Sequence, residues 1–106
     1  MIPVYFKTNS WLAKLAAAML HKDNCAMVIR HTIHLHRITK VAILQDERLL
    51  CHELTHVMQW RQQGVVKFLL LYSWYSLRYG YYQNPFEKEA RAKENDSSIR
   101  DHFIFK

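Results

Sequence analysis

A chain of 106 residues has room for one hydrophobic core, and half its residues are hydrophobic, which suits a globular domain and leaves no material for a second. With only two glycines and two prolines, most of the chain belongs to regular elements joined by short connections. The net charge of +6 favours acidic partners or anionic surfaces, but no block of basic residues appears, so no nucleic-acid partner is expected.

Residues 1–9 read as extended or loose. The apolar start, Met1 to Phe6, is too short for a secretory signal and lacks a basic lead. Ser10 suits a helix N-cap, and Trp11 to Leu20 read as a helix. Trp11, Leu12, Leu15, Ala18 and Met19 make its apolar stripe, which is expected to pack in the core. His21 to Asn24 form a turn. From Cys25 the period changes to two, which predicts strands over Ala26–Arg30 and Thr32–Arg37, with a further short strand or loop over Thr39–Leu44. His31, His34 and His36 cluster here, but such spacing is what an ordinary solvated strand face produces, so no second metal site is expected. Cys25 and Cys51 are too few for a disulfide framework. Reduced, buried thiols in a cytoplasmic protein are the expectation.

Asp46 to Gln63 read as a helix, capped by Asp46 and ended by Gly64, with Leu49, Leu50, Val57 and Trp60 at apolar spacing. Within it stands Cys51-His52-Glu53-Leu54-Thr55-His56-Val57, an H-E-x-x-H pattern. Residues four apart share a helix face, so His52 and His56 can address one metal ion. Glu53 lies one position round, within reach of a water at that ion. Imidazole pairs suit zinc, and a carboxylate beside the water can take its proton and pass it to a leaving amine.

Val65 to Tyr79 follow as a strongly apolar helix that Gly80 breaks. Phe68, Leu69, Leu71, Tyr72, Tyr75 and Leu77 cover nearly its whole circumference, which predicts burial or a homo-oligomer interface. The run is interrupted by Lys67, Ser73 and Ser76 and falls short of the ~20 residues that span a bilayer, so no transmembrane segment is expected. Asn84 as N-cap and Pro85 at the first turn open a last helix, expected to end between Glu94 and Ser98. Residues 96–106 read as a loose tail whose apolar end, Phe103-Ile104-Phe105, either folds back into the cleft and holds the protein latent or stays disordered.

Catalytic zinc sites usually take three protein ligands, so a third is needed from downstream. Glu87, Glu89, Glu94 and His102 are the candidates. Asn84 and Glu87 also have capping-box spacing, and if Glu87 only caps the helix, Glu89 becomes the ligand. Arg78, Tyr79, Tyr81 and Tyr82 are candidates for stabilising an oxyanion or contacting substrate.

The segments L-L-C-H-E-L-T-H-V-x-Q, the aromatic-rich helix ending G-Y, and N-P-F-E-x-E-A resemble the minigluzincins over roughly residues 25–94. These are minimal zinc metallopeptidases related to the catalytic core of CAAX-processing membrane metallopeptidases. The resemblance implies a zincin-like α+β domain: N-terminal helix, short β-sheet, active-site helix, apolar helix and glutamate helix. It implies zinc held by His52, His56 and Glu87, with Glu53 as general base and acid. The family carries Glu-x-x-Ala, often followed by Asp. Here Glu87 and Ala90 match, but Arg91 stands where the acid often lies, which removes the usual carboxylate that orients a histidine ligand. The function expected is a zinc metalloendopeptidase acting on a peptide or protein that adds to the edge of the strand before the motif helix. The alternative is a catalytically inactive binding or assembly module on the same scaffold.

Overall fold

The computed structural model describes residues 1–106. Its elements run β1 (Ile2–Lys7), α1 (Trp11–Met19), β2 (Cys25–Ile29), β3 (Thr32–His36), α2 (Lys40–Gln45), α3 (Glu47–Gln63), α4 (Val65–Tyr79), α5 (Pro85–Ala92), a 3₁₀ helix (Ser97–His102) and β4 (Phe103–Phe105). This is an α+β domain around a four-stranded mixed sheet in the order β2-β3-β1-β4.

Alternation in Cys25–His36 gives a hairpin in which β2 and β3 pair antiparallel, with Val28 opposite Ile33. Its two-residue loop puts Arg30 at φ 58°, a left-handed conformation that right-twisted hairpins require. The ends of the chain are not loose. Residues 2–7 form an inner strand, parallel to β3 on one side and to β4 on the other. Val4 and Phe103 are core residues, and their burial decides the matter where weak local propensity did not. The tail therefore does not fold back into a cleft. Its apolar end closes the far edge of the sheet, and Ile99 of the 3₁₀ helix joins the core.

Three further expectations are corrected. Thr39–Leu44 is neither strand nor loop, because Thr39 accepts from the Ala42 amide and caps α2. The large residues of α1 do not face the core: Ala13 and Ala17 do, and the sheet comes close against them, leaving Trp11, Leu15 and Met19 in water. α5 stops at Ala92, short of the expected end, because Lys93 leaves helical geometry and closes the last turn with its own amide.

α3 is the helix on which the rest is hung. Asp46 accepts from the Leu49 amide at its start, and Gly64 ends it at φ 81°. β2, α2, α4, α5 and the 3₁₀ helix all pack against it. Leu50, Leu54, Val57 and Trp60 enter the same core as Val28, Ile33, Leu35 and Ile43. α4 is anchored chiefly by Phe68, which packs on Trp60 and Phe86 at centroid distances of 4.7 and 4.8 Å. The expected all-round burial of α4 does not occur in the single chain: Phe68 is its one buried residue. No helix is long and apolar enough to cross a membrane.

Candidate metal centre

His52 and His56 project from one face of α3, as their spacing requires, with ring centroids 5.0 Å apart. α5 runs past that face, and Asn84 fixes where it starts. The Asn84 side chain accepts from the Phe86 amide and donates to the Tyr72 carbonyl and Ser76 Oγ, pinning α5 to α4. Glu87, one turn in, is thereby aimed at the histidines. Its Oε1 lies 3.2 Å from His52 Nε2 and 3.2 Å from His56 Nε2. These are the three residues whose ligand atoms converge, all within 4.8 Å of one another.

The other nitrogen of each ring is also held. His52 Nδ1 lies 2.8 Å from Glu94 Oε2, and His56 Nδ1 lies 2.8 Å from Gln59 Oε1. With Nδ1–H donated to these acceptors, each Nε2 is left to face the common point. Glu94 thus holds the orientation of the His52 ring. Arg91 donates to the Tyr82 carbonyl and stacks on the Tyr82 ring. Glu89 is not at the site. It accepts from Gln59 Nε2 at 2.7 Å and so steadies the residue that steadies His56. His102 lies at the end of the 3₁₀ helix, outside the cluster.

Tyr72 and Gln59 are the residues that sequence reasoning passed over. Tyr72 donates to Glu87 Oε2 at 2.6 Å and so fixes which oxygen faces the histidines. Nothing in sequence links positions 72 and 87, since only the α4–α5 turn brings them together. Gln59 did carry a signal, because i+3 from His56 on a helix is a neighbouring position.

Glu53 is 3% exposed, and its Oε2 has no hydrogen-bond partner. Burial pushes its pKa up, the two imidazoles pull part of the way back, and the result is about 7. Burial works against charge on Glu87 and on both histidines, but their mutual hydrogen bonds prevail. Glu87 is held below the usual carboxylate range, His52 is raised, and His56 is raised to about 9. Both Nε2 atoms thus converge on one Glu87 oxygen, at the point where a cation would meet all three residues. The His₂Glu donor set, with His56 and Glu87 buried and His52 partly so, and the unpartnered Glu53 oxygen beside it fit a divalent ion such as zinc.

The site opens into a cleft between α5, the end of α1 and β2, lined by Leu20, Lys22, Cys25, Leu49, Tyr81 and Tyr82 among others. β3 is paired on both sides, so it cannot accept an extended peptide. The free edge beside the cleft belongs to β2. Of the four oxyanion or substrate candidates, Tyr81 and Tyr82 line this cleft. Arg78 and Tyr79 border a separate depression with Tyr75, Gln83 and Lys88. Burial and the Glu87 carboxylate push the Tyr81 hydroxyl up, so it remains a donor at any physiological pH. The three histidines of the hairpin do not assemble a second site. His34 Nδ1 bonds Ser10 Oγ at 2.9 Å, and His31 Nδ1 bonds the Pro3 carbonyl at 3.3 Å.

Compared with protein-family models, curated proteins and solved structures, the chain matches none.

Proposed function

We propose that the protein is a zinc-dependent metallopeptidase of gluzincin type, similar to the minigluzincins, with His52, His56 and Glu87 as ligands and Glu53 as general base and acid. The observation that carries the reading is the meeting of three ligand atoms from two helices beside a buried carboxylate oxygen that has no partner. A structural ion pair would explain the first feature but not the second, because burying an unpaired carboxylate oxygen costs about 1–3 kcal/mol or more.

Zinc bound there would polarise a carbonyl and supply a water acidic near neutrality. The chain's own residues do the rest. Glu53, poised near pH 7, takes a proton and returns it to the leaving amine. Tyr81, held protonated, offers an O–H to the developing oxyanion. Tyr72 keeps Glu87 from rotating. An extended substrate adds to the free edge of β2, whose Cys25 and Ala26 line the cleft.

The test is elemental analysis of purified protein with peptide-library cleavage, on the wild type, His56→Ala and Glu53→Gln. The expected result is about one zinc per chain in the wild type and in Glu53→Gln, loss of metal in His56→Ala, and cleavage by the wild type alone. Zinc bound without any cleavage that Glu53→Gln abolishes would replace this reading with the non-catalytic module.

A further inference from the structure

The outward side of α4 is an apolar stripe with Ser73 as its one polar member. Val66, Leu69, Leu70, Ser73, Trp74 and Leu77 follow helical spacing on the side opposite Phe68, Tyr72 and Tyr75. Val66, Leu70, Trp74 and Leu77 are 71, 67, 60 and 85% exposed. Lys67 and Arg78 flank the stripe on one side, and Arg61 stands in the last turn of the preceding helix. Between Arg61 and Phe86 there is no acidic residue.

We propose that α4 is a peripheral membrane anchor that lies flat on an anionic lipid surface, with its apolar stripe in the headgroup–acyl boundary. An interfacial helix has this cross-section: one face apolar with a tryptophan, basic residues beside it, and a length too short to span. Charge selects the occupant. A surface of lipid phosphates complements Lys67, Arg78 and Arg61 and the net charge of +6, whereas a second copy of the chain does not. A two-fold pairing of α4 about its middle would set Lys67 beside Arg78 of the other copy with no carboxylate to intervene.

The test is co-sedimentation of the full chain with vesicles of phosphatidylcholine alone or mixed with phosphatidylglycerol, at low and high salt. Binding to the mixed vesicles only, weakened by salt, is expected. Lys67→Glu and Arg78→Glu should each weaken it about fivefold or more. Leu70→Glu/Trp74→Glu should weaken it by over tenfold while leaving the circular dichroism unchanged, since exposed positions tolerate such changes. In a Trp11→Phe background, Trp74 emission should shift to the blue with vesicles. No sedimentation with anionic vesicles would overturn the proposal. So would equal binding by Leu70→Glu/Trp74→Glu, or a dimer that this variant abolishes.

Discussion

Glu53 pays for its place. Its unpartnered oxygen is a liability in the folded chain, and Glu53→Gln keeps the shape while removing a buried ionisable group. That variant should be as stable as the wild type or more so in urea unfolding, while cleavage falls about 10²–10⁴-fold. The histidines give a second expectation. In the metal-free protein, the raised His56 contributes stability that is whole below its ordinary 6.5 and is lost as pH rises through about 9. The depressed Glu87 contributes stability that is whole above its ordinary 4.5 and is lost on acidification. Glu53, raised from 4.5 to about 7, subtracts stability as pH climbs above 4.5, so chelated protein should be most stable near pH 4.5, at the acid end of the window that the other two leave, in denaturant titrations. Zinc has to displace these protons, so its affinity should climb from pH 6 to 9, and an indicator dye should record proton release on binding at neutral pH. The orienting residues make a third. Glu94→Gln and Tyr72→Phe should each cost about 10–100-fold in zinc affinity by competition with a chelator, without unfolding the chain. The exposed Arg48–Glu94 pair adds little by itself.

Among the elements, α3 and α5 were legible in the sequence because each carries its own signals: Asp46 and Gly64 for one, Asn84 and Pro85 for the other. The His52–His56 pair was legible for the same reason, since a helix fixes which residues are neighbours. The third member of the cluster needed more, because Glu87 and Glu89 differ only in how α5 turns relative to α3. That turn is set by the Asn84 contacts to Tyr72 and Ser76, which no local pattern encodes. α1 misled for a physical reason. Its largest apolar residues at helical spacing predicted the inward face, yet close approach to the sheet selects Ala13 and Ala17 there. Gly64 and Gly80 separate α4 from its neighbours at φ 81° and 83°. An added Cβ meets nothing within 4 Å at either, so the cost of substitution lies in the backbone. Gly64→Ala should lose about 1–3 kcal/mol by thermal or urea unfolding and shift the relative placement of α3 and α4.

For the whole molecule, the sheet decides what the ends do. Removal of residues 99–106 takes Ile99 and Phe103 from the core and strips β1 of a partner. Losses of about 3–5 kcal/mol for a buried aromatic are large against the 5–15 kcal/mol of a typical domain. Truncated chain should melt far lower than the wild type in calorimetry and should not gain peptidase activity. The pairing of β1 with β4 was hidden from sequence because each is short: β1 forms only between β3 and β4, and β4 only against β1. The hairpin was visible because its strands are adjacent in the chain.

That pairing also sets an order of events in folding. Ile2 and its partner Phe103 are about a hundred positions apart in the sequence, whereas β2 and β3 are joined by a two-residue loop. Loop-closure entropy makes the distant pairing the costlier of the two. The hairpin should therefore gain amide protection before the β1–β4 border closes.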